Sequence, residues 1–211
     1  FTFKIENNKM KIGYKATYDF ICRDFKFEIG QTYELSEKPI MCLCGFHYCK
    51  DAKNTLRHYN YNSRFKLLEI EDLGLYTIER SDKSCTNKIR IIREINDPNE
   101  LIQLLEEYRT FNENGKELTH KDSTGYWHEY TYDQDGKELT FKDSNKYWHE
   151  YTYDQYDQIL TYKDSTGYYY EFTYDQDGNK LTYKDSDNYV YDYTCDEGEY
   201  AIESNKDENR I

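Results

Sequence analysis

The chain has 211 residues, of which 28 are basic and 41 acidic, for a net charge of −13; 18% are aromatic, including 25 tyrosines. A surface this acidic repels nucleic acid and anionic lipid and steers toward basic partners, and no run of about 20 apolar residues offers a membrane-spanning helix. The charge is unevenly placed: residues 1–110 hold 18 basic and 17 acidic side chains, residues 111–211 hold 10 and 24, so composition breaks near Phe111 and predicts two domains.

In chain order, residues 10–95 read as a small α+β domain within a first segment 1–95. Extended stretches are expected at Met10–Thr17, Phe25–Gly30, Arg64–Ile70 and Lys88–Ile95, where β-formers are bounded by turn residues. Asp51 is placed to cap a short helix ending near Tyr59. Asp97-Pro98 supplies a cap and a first-turn proline for a second helix. Leu101, Ile102, Leu104, Leu105 and Tyr108 form one apolar stripe on it, so a connecting helix is expected over 96–111.

Six cysteines, Cys22, Cys42, Cys44, Cys49, Cys85 and Cys195, come without the apolar core of a signal peptide in Phe1–Met10, which predicts free thiols in a reducing bacterial cytoplasm. Cys42, Cys44, His47 and Cys49 are of the ligand types zinc takes. Their C-x-C and H-x-C spacings depart from the usual knuckle, and small packed thiols around a glycine turn are the plainer reading. No cofactor is expected.

Several motifs carry a resemblance: Gly13-Tyr14-Lys15-Ala16, then Cys22-Arg23 with Phe25, Phe27, Gly30 and Tyr33, then Cys42, Gly45-Phe46-His47 and Cys49. Asn60-Tyr61, the strand Arg64–Ile70 and Thr86 to Ile91 complete it. Through these, the first 95 residues or so resemble an uncharacterised domain found at the start of phage and prophage proteins, which implies a phage origin and no assigned activity. The order of elements also loosely resembles the ADP-ribosyltransferase fold. There, Gly45-Phe46-His47 falls where a Ser-Thr-Ser triplet would, and Glu69, Glu71 and Glu79 are rival candidates for the acid. A non-enzymatic protein is the expectation, with such a transferase or nucleotide binder, targeted by its repeats, as the alternative.

From Asn112 to Asp196 the sequence repeats with one fixed period. Lys121-Asp122-Ser123 returns at 142, 163 and 184; Leu118 returns at 139, 160 and 181; the turn position Gly115 returns as Gly136, Asp157 and Gly178. Each of the four units predicts two strands, giving an all-β repeat domain over 112–196, as a hairpin meander in preference to a solenoid, before an acidic tail at 197–211. Alternation places Tyr126, His128, Tyr130 and Tyr132 on one face and Trp127, Glu129 and Thr131 on the other. With leucine the one regular aliphatic position, the sheet must be held by aromatic stacking and cross-strand pairs. Tyr130 to Gly136 resembles the YD repeats of large bacterial toxins and wall-associated proteins, and the Tyr/Asp-rich repeats of small phage proteins, some of them anti-CRISPRs.

These features lead to an expected role as a phage-encoded inhibitor of a bacterial defence nuclease, of anti-CRISPR or anti-restriction type, acting in the host cytoplasm. An acidic repeat face would block a basic nucleic-acid channel. The candidate contact residues are the aromatics Trp127, Trp148 and Tyr169, the aspartates Asp122, Asp143, Asp164 and Asp185, and the glutamates Glu129, Glu150 and Glu171. The same aromatics would serve a carbohydrate-binding repeat module, the further alternative.

Overall fold

A computed structural model describes residues 10–194, which fall into two compact units dividing between Thr124 and Gly125. The acidic tail and Cys195 lie outside the described residues. None of the described helices is long and apolar enough to cross a membrane.

The first unit is mostly antiparallel sheet. Its strands are β1 (Lys11–Tyr18), β2 (Ile21–Cys22), β3 (Phe25–Lys26), β4 (Thr32–Glu34), β5 (Phe46–Tyr48), β6 (Phe65–Asp72), β7 (Thr77–Glu79), β8 (Ser84–Thr86), β9 (Lys88–Ile95), β10 (Glu107–Phe111) and β11 (Glu117–Asp122). A six-stranded sheet runs β3-β2-β1-β6-β9-β4, and β5-β8-β7 form a second, three-stranded one. Cores lie on both faces of β6. Leu67 packs with Ala16, Ala52, Phe65, Ile95, Leu101 and Leu105, while Leu68 and Ile70 pack with Phe27, Phe46, Tyr48, Ile89 and Ile91. Strand β9 serves both cores because the register shifts between Glu69 and Ile70, leaving Ile92 as the extra residue. That bulge reverses the alternation, so Ile89 and Ile91 face one core and Ile95 the other.

The helical content is smaller than the α+β expectation. The Asp51–Tyr59 helix is a 3₁₀ segment, Ala52–Arg57, with Asp51 accepting from Lys53 N at 3.0 Å; inside it Thr55 Oγ1 bonds back to Ala52 O, drawing a backbone carbonyl away from regular pairing. The connecting helix spans only Pro98–Leu105 (α1), capped by Asp97 on Glu100 N. It stops because Glu106 turns left-handed, φ 69°, with its N–H on Ile102 O. The chain then enters β10, so the end of the 96–111 segment is strand, and Tyr108 pairs with Lys121 on β11.

The repeats form a meander: a nine-stranded sheet runs from β10 in chain order through β12 (Trp127–Tyr132), β13 (Glu138–Asp143), β14 (Trp148–Tyr153), β15 (Ile159–Asp164), β16 (Tyr169–Tyr174), β17 (Lys180–Asp185) and β18 (Val190–Asp192). The longer ladders close over the Asp-Gln-x-Gly type of turn, as in β12–β13, β14–β15 and β16–β17. Each carries a bulge at the same phase, after Thr131, Thr152 and Thr173. Across the Asp-Ser turns only three pairs form. In the second unit Gly136 and Asp185 alone are buried among the described residues, so neither face has a second layer within it.

Candidate functional site

Because strand residues alternate and the bulges recur once in every repeat, the second unit presents the same two faces throughout. One is aromatic. Phe141, His149, Tyr162, Tyr170 and Tyr183, on five successive strands, form a chain of rings with centroids 5.1–6.1 Å apart. Tyr130 and Tyr151 dock beside it at 4.9 and 5.0 Å. The hydroxyls are tied in as well: Tyr147 bonds Tyr162, which donates to Asp164, and one repeat further on Tyr168 bonds Tyr183, which donates to Asp185. Burial, then the bond to Tyr147 and the Asp164 charge, pushes the Tyr162 phenol well above its ordinary range, so it stays a donor.

The other face is polar, with a single large ring per hairpin. Thr131–Thr140, Thr152–Thr161 and Thr173–Thr182 hydroxyl pairs lie 2.6–2.7 Å apart. Glu129, Glu150 and Glu171 are each ion-paired to the lysine opposite, Lys142, Lys163 and Lys184. Trp127, Trp148 and Tyr169 stand exposed at the equivalent place.

The aspartate ladder has a different position from the one a negative face requires. Asp143 accepts from Asn145 N and Tyr147 N, Asp164 from Thr166 N and Oγ1, Asp185 from Asp187 N and Tyr189 N, and Asp122 from Thr124 N. These are turn-forming carboxylates; the Thr166 hydroxyl holds Asp164 below the usual carboxylate range. Among the acids displayed at the turn tips are Asp135, Asp177 and Asp187, which are exposed. Sequence spacing alone did not single them out, although the first two flank the recurring turn glycine.

In the first unit, Cys42, His47 and Cys49 line a cavity of about 280 Å³ together with Cys22 and His58. Strand β1 sends Lys15, 4% exposed, toward it. The amine donates to His47 O at 3.0 Å, reaches Cys22 Sγ at 3.7 Å and lies 5.2 Å from the centre of the Phe27 ring. Cys22 Sγ in turn bonds Tyr59 OH at 3.2 Å. Arg23, left-handed at φ 54°, donates to Leu43 O and Cys42 O. Burial pulls the Lys15 amine below its usual pKa. It pulls His47 down to about 4, with help from the Lys15, Arg23 and Lys83 charges, and pushes Cys49 up to about 11.

Cys42, Cys44, His47 and Cys49, of the types zinc takes, are not gathered into a ligand set. His47 Nε2 accepts from Cys42 N at 2.8 Å, Cys44 is half-buried and Cys49 buried, and among the described residues no three His, Cys, Asp or Glu side chains are grouped to hold a metal ion. The three candidate acids are also engaged elsewhere: Glu69 with Arg93, Glu71 with Arg90 and Glu79 with Lys50, at 2.6–2.7 Å.

A family model described as a domain of unknown function (DUF7666) matches residues 4–103. No curated protein matches the chain. Similar solved structures are the complex TcdB2-TccC3-TEV (15% identity, TM-score 0.25, 56% of this chain), a Photorhabdus luminescens Tc holotoxin pore carrying a TccC3 mutation (15%, 0.26, 58%) and TcdB2-TccC3-Cdc42 (14%, 0.26, 56%). This chain spans about 7% of the length of each.

Proposed function

We propose that the chain is a phage-encoded, non-enzymatic inhibitor that uses its repeat sheet to occupy the basic nucleic-acid groove of a bacterial defence nuclease inside the host cell. The observation that carries this reading is the placement of charge. Residues 125–194 hold 15 acidic and six basic side chains, and three of the six lysines are spent neutralising glutamates on the polar face. The surplus negative charge therefore collects along the two rims of turns. Strands of six residues set those rims roughly 20 Å apart, comparable with the width of a nucleic-acid duplex, and the exposed rings between them supply anchors.

The test uses bacteria carrying single defence systems, challenged with a sensitive phage while they express the chain. One system is expected to be neutralised, and changing Asp135, Asp177 and Asp187 together to Lys is expected to restore immunity. The turns are built on the carboxylates of Asp133, Asp175 and Asp185, which accept the backbone N–H groups of these three residues, so the replacements leave the turns intact. Full inhibition by the charge-reversed protein, or binding to the target that is indifferent to salt, would show the acidic rims to be irrelevant.

A further inference from the structure

The first unit holds an unexplained cation. Lysine is almost never fully buried without a partner, because an isolated ammonium is costly to desolvate. Lys15 is 4% exposed, yet among the described residues no carboxylate lies within ion-pair distance of it, nor of Arg23 or Lys83 beside the same cavity. The lining contains no Asp or Glu at all. Asp82 faces His58 at 3.4 Å, and Asp24, which lines the adjoining hollow with Lys15 and Arg23, is ion-paired to neither. The hydrogen bonds Lys15 does make are to one carbonyl and, at length, one thiol, which in the protonated form leaves one N–H without an acceptor. The fold thus places three basic side chains around a hollow of about 280 Å³, near the lower end for small-molecule sites, and pairs none of them with a carboxylate.

We propose that this cavity is a binding site for a small anionic molecule, a phosphate- or carboxylate-bearing compound, whose charge is met by Lys15 from the buried side and by Arg23 and Lys83 toward solvent. The site is independent of the repeat sheet, and its occupant supplies the counter-charge that the protein omits. Lys15 is then a binding residue held at the expense of stability, as functional groups often are.

Two probes separate the sources of the charge: pyrophosphate for phosphates and citrate for carboxylates, each titrated at millimolar concentrations into the full chain by calorimetry. At least one is expected to bind, and to bind at least tenfold more weakly to Lys15→Met and to Arg23→Gln. A calorimetric melt of unliganded Lys15→Met supplies the second readout. Methionine fills similar volume without the buried amine, so the melting temperature is expected to hold or rise. No binding of either probe, binding that survives Lys15→Met, or a melting temperature that falls in that variant would each overturn the assignment; the last would mean that the lysine is a structural hydrogen-bond donor.

Discussion

Asp72, at the end of β6, is the polar hub that ties the two sheets of the first unit together, and its replacement by Asn is a stringent test of that packing. The carboxylate is 7% exposed and accepts four hydrogen bonds. Gly74 N and Thr86 Oγ1 reach Oδ1 at 2.9 and 2.7 Å, and Tyr48 OH and Thr77 Oγ1 reach Oδ2 at 2.9 and 2.8 Å. Burial, followed by the bond to Asp72, pushes the Tyr48 phenol far above its ordinary pKa, so it remains a donor. In Asp72→Asn one oxygen becomes an NH₂ aimed at two donors. Two bonds to a charged acceptor are lost, worth about 1.5–3 kcal/mol each, for a destabilisation of about 3–6 kcal/mol. Urea unfolding reads it, with the first unit followed by labelling of the buried thiols Cys49 and Cys85. The chain's two tryptophans, Trp127 and Trp148, both lie in the second unit and report that unit instead. For a slope of about 2 kcal/mol per molar urea, the thiol midpoint should fall by roughly 2 M. A fall of less than about 0.5 M would mean that the network does not hold the sheets together.

His47 sets a pH dependence. Its folded pKa of about 4 lies below the unfolded value of about 6.5, so below pH 6.5 the unfolded chain binds the extra proton and stability falls with acid. The loss between pH 7.5 and pH 5 is roughly 2 kcal/mol; it should show in the thiol transition and vanish in His47→Gln, whereas an unchanged slope in that variant would assign the effect elsewhere. Asp157 holds φ 74° where its counterparts are Gly115, Gly136 and Gly178. Asp157→Gly relieves the left-handed backbone but strips the ion-pair partner from the buried Lys137 ammonium, whereas Asp157→Val strips it and also forces a β-branched residue left-handed, so in the tryptophan-detected midpoint Val should be the less stable of the two by about 1–2 kcal/mol. Equal stability of the two variants would contradict the turn geometry.

The repeat array was the most legible part of the chain because period, alternation and turn chemistry agree there. The signal missed was a further half-unit. Thr110, Phe111, Asn112 and Gly115 stand one full period before Thr131, Tyr132, Asp133 and Gly136. The apolar stripe of α1, continued through Tyr108, masked the strand that begins at Glu107. In the first unit β1, β6 and β9 were readable from their β-formers, but β7 and β8 were not: Ser84 and Thr86 are fully buried through side chains that carry no apolar pattern. The cavity was illegible for a related reason. Lys15 shares a strand face with Gly13 and Thr17, and only tertiary packing shows that this face is buried along with the Ala16 face of the same strand. The aspartate ladder was visible as a period, but whether a periodic Asp displays charge or closes a turn depends on where its oxygen points.

The bulge repeated at fixed phase has a consequence at the level of the gene. Tyr126–Gln134 and Tyr147–Gln155 are identical in sequence, so their coding segments are natural sites of slippage and unequal exchange. Gain or loss of one whole period carries its own bulge and turns with it, and each strand still meets only its two neighbours, so the product keeps both faces in phase. An insertion of a single residue within a strand would instead swap aromatic for polar positions from there onward. Array length is thus a trait that can evolve in steps, lengthening or shortening the acidic rims while leaving the chemistry of each step unchanged.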